Sequence, residues 1–222
     1  MADWATISSL ATAGGTLALA GATYGSVRSA NRSARVAEVA LQEQRRPVLV
    51  QSRSDDRDQT AGFADGRWLN IPGGGAAVET TTDAAYLAIS LRNVGAGLAV
   101  LQAWHAHSVA GTEQSDMAWR DGVASGDAPG LEEFRPLTRD QYIAGGDIGV
   151  WQGALRDPDD PLHSSLTGAT AERRRFLVDL LYTDQVGGQR TISRFGMLPD
   201  DDDDGWVTAA ARHWYLDAPA PR

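Results

Sequence analysis

The chain has 222 residues, enough for one domain of ordinary size plus an extension, and its apolar fraction is that of a folded protein. It contains no cysteine, which excludes disulfides, thiolate chemistry and cysteine-held metal, and all twenty basic residues are arginine. Of the net charge of −9 none lies at the start: up to Pro47 five arginines face three carboxylates, and an acidic remainder argues against a nucleic-acid partner, which needs a basic face.

From Trp4 to Val27 no residue is charged. At the rise of an α-helix this stretch is about 36 Å long, sufficient to cross a bilayer. Asp3 can cap its N-terminus, and Trp4 suits an interface. Alanine, glycine, threonine and serine dominate the segment, so its insertion is marginal. Gly21 and Gly25 form a G-x-x-x-G pair, and Ala11 and Gly15 a second small-residue pair, spacings that let helices approach closely; the bland reading is that small residues are common in this chain. A cleaved signal peptide fits less well, because the basic residues follow the apolar run at Arg28, Arg32 and Arg35 instead of preceding it. The positive-inside rule then gives a single-pass cell-membrane anchor over 4–27, N-terminus out and C-terminal domain cytoplasmic. The helix is expected to continue to Arg46, with Val27, Ala30, Ala34, Ala37 and Leu41 forming a narrow seam. Only one of these is leucine, so self-association through it would be weak. An amphipathic stretch that folds back on the following domain is the alternative. Pro47 ends the helix.

Beyond Pro47 the period changes from helix to strand. Val48–Arg53 is a first strand, and 54–83 reads as a long polar loop with a strand near Trp68–Ile71. Tyr86 to Trp104 reads as a hairpin: Leu87, Ile89 and Leu91 form one buried face, alternating with Ala88, Ser90 and Arg92. Asn93, Gly95 and Gly97 make the turn, and Leu98, Val100 and Trp104 resume the alternation. Ser108–Pro136 reads as loop. Tyr142–Ile143 and Ile148–Leu155 are short strands around Gly145-Gly146, and Asp157–Pro161 is a turn before a short helix near Leu162–Leu166. Phe176–Thr183 and Arg190–Met197 form a hairpin around Gly187-Gly188, and Trp206–Leu216 is the last strand. The expectation is a mainly β chain. A helical segment, 1–46, precedes an Ig-like β-sandwich of roughly seven to nine short strands over 47–217, with a disordered tail at 218–222.

The order of an apolar helix, an Arg46-Pro47-Val48-Leu49-Val50 strand and an Asn93-x-Gly95-x-Gly97-x-Ala99 turn resembles a diffuse class of uncharacterised actinobacterial single-pass membrane-anchored proteins with a C-terminal Ig-like sandwich. The resemblance covers most of the chain, but those two segments carry it. It implies a fold and a location, and brings no activity or catalytic residue.

Few residues point to chemistry. Gly95-x-Gly97 is followed by strand alternation and not by the helix a dinucleotide fingerprint must open. His105 and His107 share one face of a strand and could begin a metal site. No third ligand completes it by spacing, although His163 or His213 could join in three dimensions; hydrogen-bonded or solvated histidines are the plainer reading. Asp200–Asp204 lacks the spacing of a calcium loop, and like Asp157, Asp159 and Asp160 it reads as a solvated loop. There is no G-x-S-x-G, H-E-x-x-H or P-loop, so no catalytic residue, cofactor or metal is assigned and no enzyme is expected. Of the seven tryptophans, Trp104 and Trp214 read as core, whereas Trp68, Trp119 or Trp151 could stack on a sugar ring. The leading functional expectation is a membrane-tethered, non-enzymatic interaction or scaffold module. Its partners would be the bilayer through 4–27, copies of itself through the helix, and a further protein. A structural subunit of a helix-packed assembly and a carbohydrate- or metal-binding sandwich are the alternatives.

Overall fold

The computed structural model describes residues 4–108, 123, 127–201 and 204–217, with side chains from Thr12 onward. The cap at Asp3, the side chains of Trp4 and Ala11, Trp119, and the tail at 218–222 therefore lie outside what is described. The chain divides into two units, 1–44 and 45–222.

The first unit is one helix, α1, Trp4–Gln44, 41 residues long. Alanine and unbranched side chains supply its propensity, and the Thr16 hydroxyl donates back to the Thr12 carbonyl. It ends two residues short of the expected Arg46, because a residue before proline is pushed out of helical backbone. Its residues from Thr12 to Gln44 are exposed on every side, among them Leu17, Leu19, Tyr24, Val27, Val36, Val39 and Leu41.

The second unit is mainly β, as the alternation of its apolar residues implies. Its strands are β1 (Leu49–Gln51), β2 (Gln59–Gly62), β3 (Trp68–Ile71), β4 (Gly75–Thr80), β5 (Ala85–Asn93), β6 (Ala99–Ser108), β7 (Arg135–Ile143), β8 (Ile148–Leu155), β9 (Phe176–Thr183), β10 (Thr191–Pro199) and β11 (Trp206–Tyr215). Among the described residues it also has a short helix, α2 (Pro161–Ala171), and a 3₁₀ turn, Leu131–Glu133. The strands outnumber the seven to nine expected. Two were missed within the polar 54–83 stretch, β2 and β4, and β7 begins inside the stretch read as loop. Segments 109–122 and 124–126, the rest of that loop apart from 123 and 127–134, are not described.

Nine strands form one antiparallel sheet in the order β1-β5-β4-β11-β10-β9-β6-β7, with β8 also on β5. Strand β5 pairs with β4 over Ala85–Ile89 and with β1 over Leu91–Asn93, and with β8 along most of its length. β1 and β4 thus share one edge of β5 end to end, and β8 takes the other. The two ends of the path, β7 and β8, are consecutive in the chain, and the sheet curls until they meet. There the Gln141 side chain takes the place of a backbone rung: its amide donates to the Gln152 carbonyl at 3.0 Å, and its carbonyl accepts from the Gln152 N–H at 3.1 Å.

The expected hairpin of β5 with β6 does not form. Both strands exist, but β6 pairs with β7 and β9, so 94–98 carries the chain across the curled sheet. The β9–β10 hairpin forms as expected, and β10 turns through the aspartate run into β11. Strand β5 is also buried on both faces. Leu87, Ile89 and Leu91 join the main core with Trp104, Trp151, Phe176, Tyr182, Phe195 and Trp206. Tyr86 and Ala88 lie under the β2–β3 ribbon with Phe63, Leu69 and Ile71, while Ser90 bonds Ser52 at 2.6 Å and accepts from Gln59. The indole rings of Trp104 and Trp151 meet edge-on at 5.5 Å, and Gly153 is small enough to let them. A Cβ there would lie 2.8 Å from one ring and 3.0 Å from the other.

Candidate functional site

The turn residues are brought together. Asn93 is buried, and its side chain makes four hydrogen bonds: Oδ1 accepts from Val48 N at 3.1 Å and Gly95 N at 3.0 Å, and Nδ2 donates to Gly97 O at 2.7 Å and Ile143 O at 3.0 Å. A Cβ on Gly95 or Gly97 would overlap the Arg46 or Arg45 carbonyl oxygen. The two sequence segments that carried the resemblance, RPVLV and NVGAGLA, therefore pack on one another as a structural joint with no chemistry of its own.

The helix residues are placed differently. Gly15, Gly21 and Gly25 have no heavy atom within 4 Å of where a Cβ would stand, and Arg28, Arg32 and Arg35 are exposed. No helix among the described residues is long and apolar enough to cross a membrane.

Of the tryptophans considered for sugar stacking, Trp151 is fully buried in the main core. The reason is the second neighbour sheet edge: β8 lies against β5 along its length, so its inward residues meet Trp104. Trp68 is exposed on β3 with its ring against Gly62. The cleft at the β7–β8 seam, lined by Phe63, Trp104, Leu137, Arg139, Gln152 and Arg156, encloses about 90 Å³, well below the several hundred Å³ of a small-molecule site.

The histidine pair gains partners that spacing did not supply. Across the sheet, His105 on β6 stands opposite Asp179 on β9, which stands opposite Arg194 on β10, which stands opposite Arg212 on β11. In-register neighbours in a sheet share a face, so these four line up on the side away from the main core, flanked by Ala103, Leu181, Ile192 and Trp214. Asp179 is fully buried and takes a two-pronged ion pair from Arg194, Nε to Oδ1 and Nη2 to Oδ2, both 2.8 Å. The Arg194 guanidinium lies 4.9 Å from the Trp214 ring centre. His107 stacks on His105 at 5.0 Å. His107 Nδ1 is 3.9 Å from Asp179 Oδ2, and His105 Nδ1 is 3.4 Å from Oε2 of Glu133 on the 3₁₀ turn. Both Nδ1 atoms are buried and lack a hydrogen bond. Burial holds the His107 pKa below its ordinary value, against the pull of Asp179.

His163 and His213 do not join this group. His163 is buried on α2. Ser193 Oγ and His213 Nδ1 lie 2.6 Å apart, and Ser193 bonds the Tyr182 hydroxyl at 2.8 Å, which accepts from Leu49 N at 3.1 Å. Burial pushes the Tyr182 pKa up to about 12. Ser193 is fully buried, so this chain of hydroxyls ties β1, β9, β10 and β11 together and offers no accessible nucleophile. Asp160 is no idle loop residue: it accepts from Leu162 N as the cap of α2 and pairs with Arg135. Asp200 N donates to Gly205 O, closing the β10–β11 turn; Asp202 and Asp203 are not described.

No protein-family model and no curated protein matches the chain. Among solved structures it is similar to a candidate ApaA protein from Bordetella pertussis, with 9% identity, 66% of this chain and 94% of the other covered, and a TM-score of 0.20. A likeness that slight carries no argument about fold or function.

Proposed function

We propose that this chain is a tethered, non-enzymatic interaction module in which α1 is the attachment and the β unit is the part presented to a partner. One observation carries the reading. From Thr12 onward this 41-residue helix exposes Leu17, Leu19, Leu41, Val27, Val36, Val39 and Tyr24, and an isolated helix of such composition gains little from propensity alone. It needs something to lie in or against. The uncharged run Trp4–Val27 followed by Arg28, Arg32 and Arg35 supports a bilayer as that seat, with the β unit at the cytoplasmic face. The resemblance to anchored sandwich proteins points the same way.

A second reading is favoured by hydropathy, because no described helix is apolar enough to span. In it the open faces at Gly15, Gly21 and Gly25 pack against other copies of α1, and the chain is a subunit of a helix-packed assembly. Co-sedimentation separates the two. The intact chain should pellet with native membranes while a form lacking residues 1–44 stays in the supernatant. Large detergent-independent particles that dissociate on Gly21→Leu with Gly25→Leu would instead establish the assembly. An intact chain that is monomeric and membrane-free would overturn both.

A further inference from the structure

We propose that His105, His107 and Asp179, with Glu133 as fourth ligand, bind one divalent transition-metal ion of the zinc class. The donor atoms of the first three lie within 4.8 Å of one another, and Glu133, outside that group but beside His105, completes the set by swinging in from its turn. Around a tetrahedral ion with ligands at about 2.0–2.2 Å, neighbouring donors stand about 3.3–3.6 Å apart. The His105–Glu133 separation of 3.4 Å already meets that, and the His107–Asp179 separation of 3.9 Å closes with a small side-chain rotation.

Three further features favour an ion over a plain polar cluster. Both Nδ1 atoms are buried and make no hydrogen bond. A buried nitrogen without a partner is costly, and a metal would satisfy both at once. The two rings are stacked with their planes 26° apart, and a donor atom of each lies within 4.8 Å of the other and of Asp179, where a hydrogen-bonded pair would turn one ring to donate to the other. Asp179 keeps one lone pair on each oxygen after accepting from Arg194, and the guanidinium fixes the orientation of the carboxylate, as outer-shell partners of metal ligands do. Arg194 also offsets the negative charge of Asp179, which weakens electrostatic capture of the ion. Affinity must therefore come from the two imidazoles, and that selects zinc, cobalt, nickel or copper over magnesium and calcium. Glu133 stands half-exposed on the 3₁₀ turn, so it closes the set from the solvent side, and the ion enters there. This site is independent of what seats α1.

The test titrates the intact, tag-free chain with zinc chloride by calorimetry and with cobalt chloride by visible absorption. The chain carries four histidines in all, so background is small. The site predicts one equivalent bound, an intense tetrahedral cobalt spectrum, and no response to magnesium. His105→Gln and His107→Gln should each weaken zinc by about tenfold or more, at least the loss typical of an outer-shell partner, and Glu133→Gln by less. Asp200→Asn with Asp201→Asn, in the other acidic cluster, should change nothing. Circular dichroism of each variant checks its fold, and Glu133→Gln, on an exposed turn, keeps the test open should a histidine variant misfold. Absence of binding, an octahedral cobalt spectrum, or affinity unchanged in both histidine variants would overturn the proposal.

Discussion

Replacing Asn93 tests the joint on which the curled sheet turns. Asn93→Ala removes four hydrogen bonds, two accepted from Val48 N and Gly95 N and two donated to Gly97 O and Ile143 O. At about 1 kcal/mol net for each bond, with backbone groups left unpaired in a buried place, the expected loss is about 3–5 kcal/mol. That is a large part of the 5–15 kcal/mol typical of a whole domain. Asn93→Asp sharpens the argument. It keeps the two accepted bonds but sets a carboxylate against two carbonyl oxygens, so its pKa is raised in the folded state. A carboxyl of raised pKa favours folding at low pH and loses that contribution as pH rises past the unfolded value. The Asp variant should therefore be at least as unstable as the Ala variant near pH 7 and recover relative to it near pH 4. Urea unfolding followed by tryptophan fluorescence reads this directly, since Trp104, Trp151 and Trp206 are all in the core. A loss below about 1 kcal/mol for Asn93→Ala, or an Asp variant with no pH dependence of its own, would refute the reasoning.

The same joint predicts that Gly97→Ala costs about 1–3 kcal/mol through its overlap with the Arg45 carbonyl, whereas Gly188→Ala, in open space, is close to neutral in the same urea assay. Trp151→Ala should cost about 3–5 kcal/mol as a core cavity and Trp68→Ala less than about 1 kcal/mol as a surface change; equal losses would contradict the placement of the two rings. Stability should also fall in two stages on acidification. Burial holds the His213 pKa below 6.5, so the unfolded chain takes up protons first, and the contribution of that ring is present above pH 6.5 and lost as pH falls below it. Asp217 is held below 3.8 by hydrogen bonds from the Arg190 side chain and backbone, so its contribution is lost only under more acid conditions. Urea midpoints measured across this range should show the first decline, and a flat profile down to pH 4 would contradict it.

What was readable in the sequence and what was not follows from how local each feature is. Strand β3 was legible because Leu69 and Ile71 alternate with Trp68 and Asn70 between turn residues. Strand β4 was not, because it starts at a glycine of the Gly73-Gly74-Gly75 run and its burial comes from β5 and β11. Strands β5 and β6 were legible as strands, but their pairing was misread. A glycine-rich turn between alternating segments matches a hairpin locally, and only contacts with β8 and β9, far along the chain, decide otherwise. The double burial of β5 was hidden for a related reason: Ala88 and Ser90 are small enough to suit either face, and the ribbon that covers them is itself set by tertiary packing. The histidine pair followed from the period of two, while Asp179 did not follow from any spacing to it. A signal did exist. Asp179 and Arg194 are single charges inside the otherwise uncharged strands FLVDLLYT and TISRFGML on either side of the Gly187-Gly188 turn, so a hairpin there brings them near one another, and the register makes them partners. A buried ion pair on a strand next to two histidines is what would have marked this cluster.

The most direct test of the tethered-module account is carbonate extraction of native membranes carrying either the wild-type chain or a Leu17→Glu, Leu19→Glu variant, whose carboxylates are costly in a bilayer. The account predicts that the wild-type chain stays in the washed pellet and that the variant is released with its β unit still folded. A wild-type chain that washes off, or a variant retained as firmly as wild type, would contradict it.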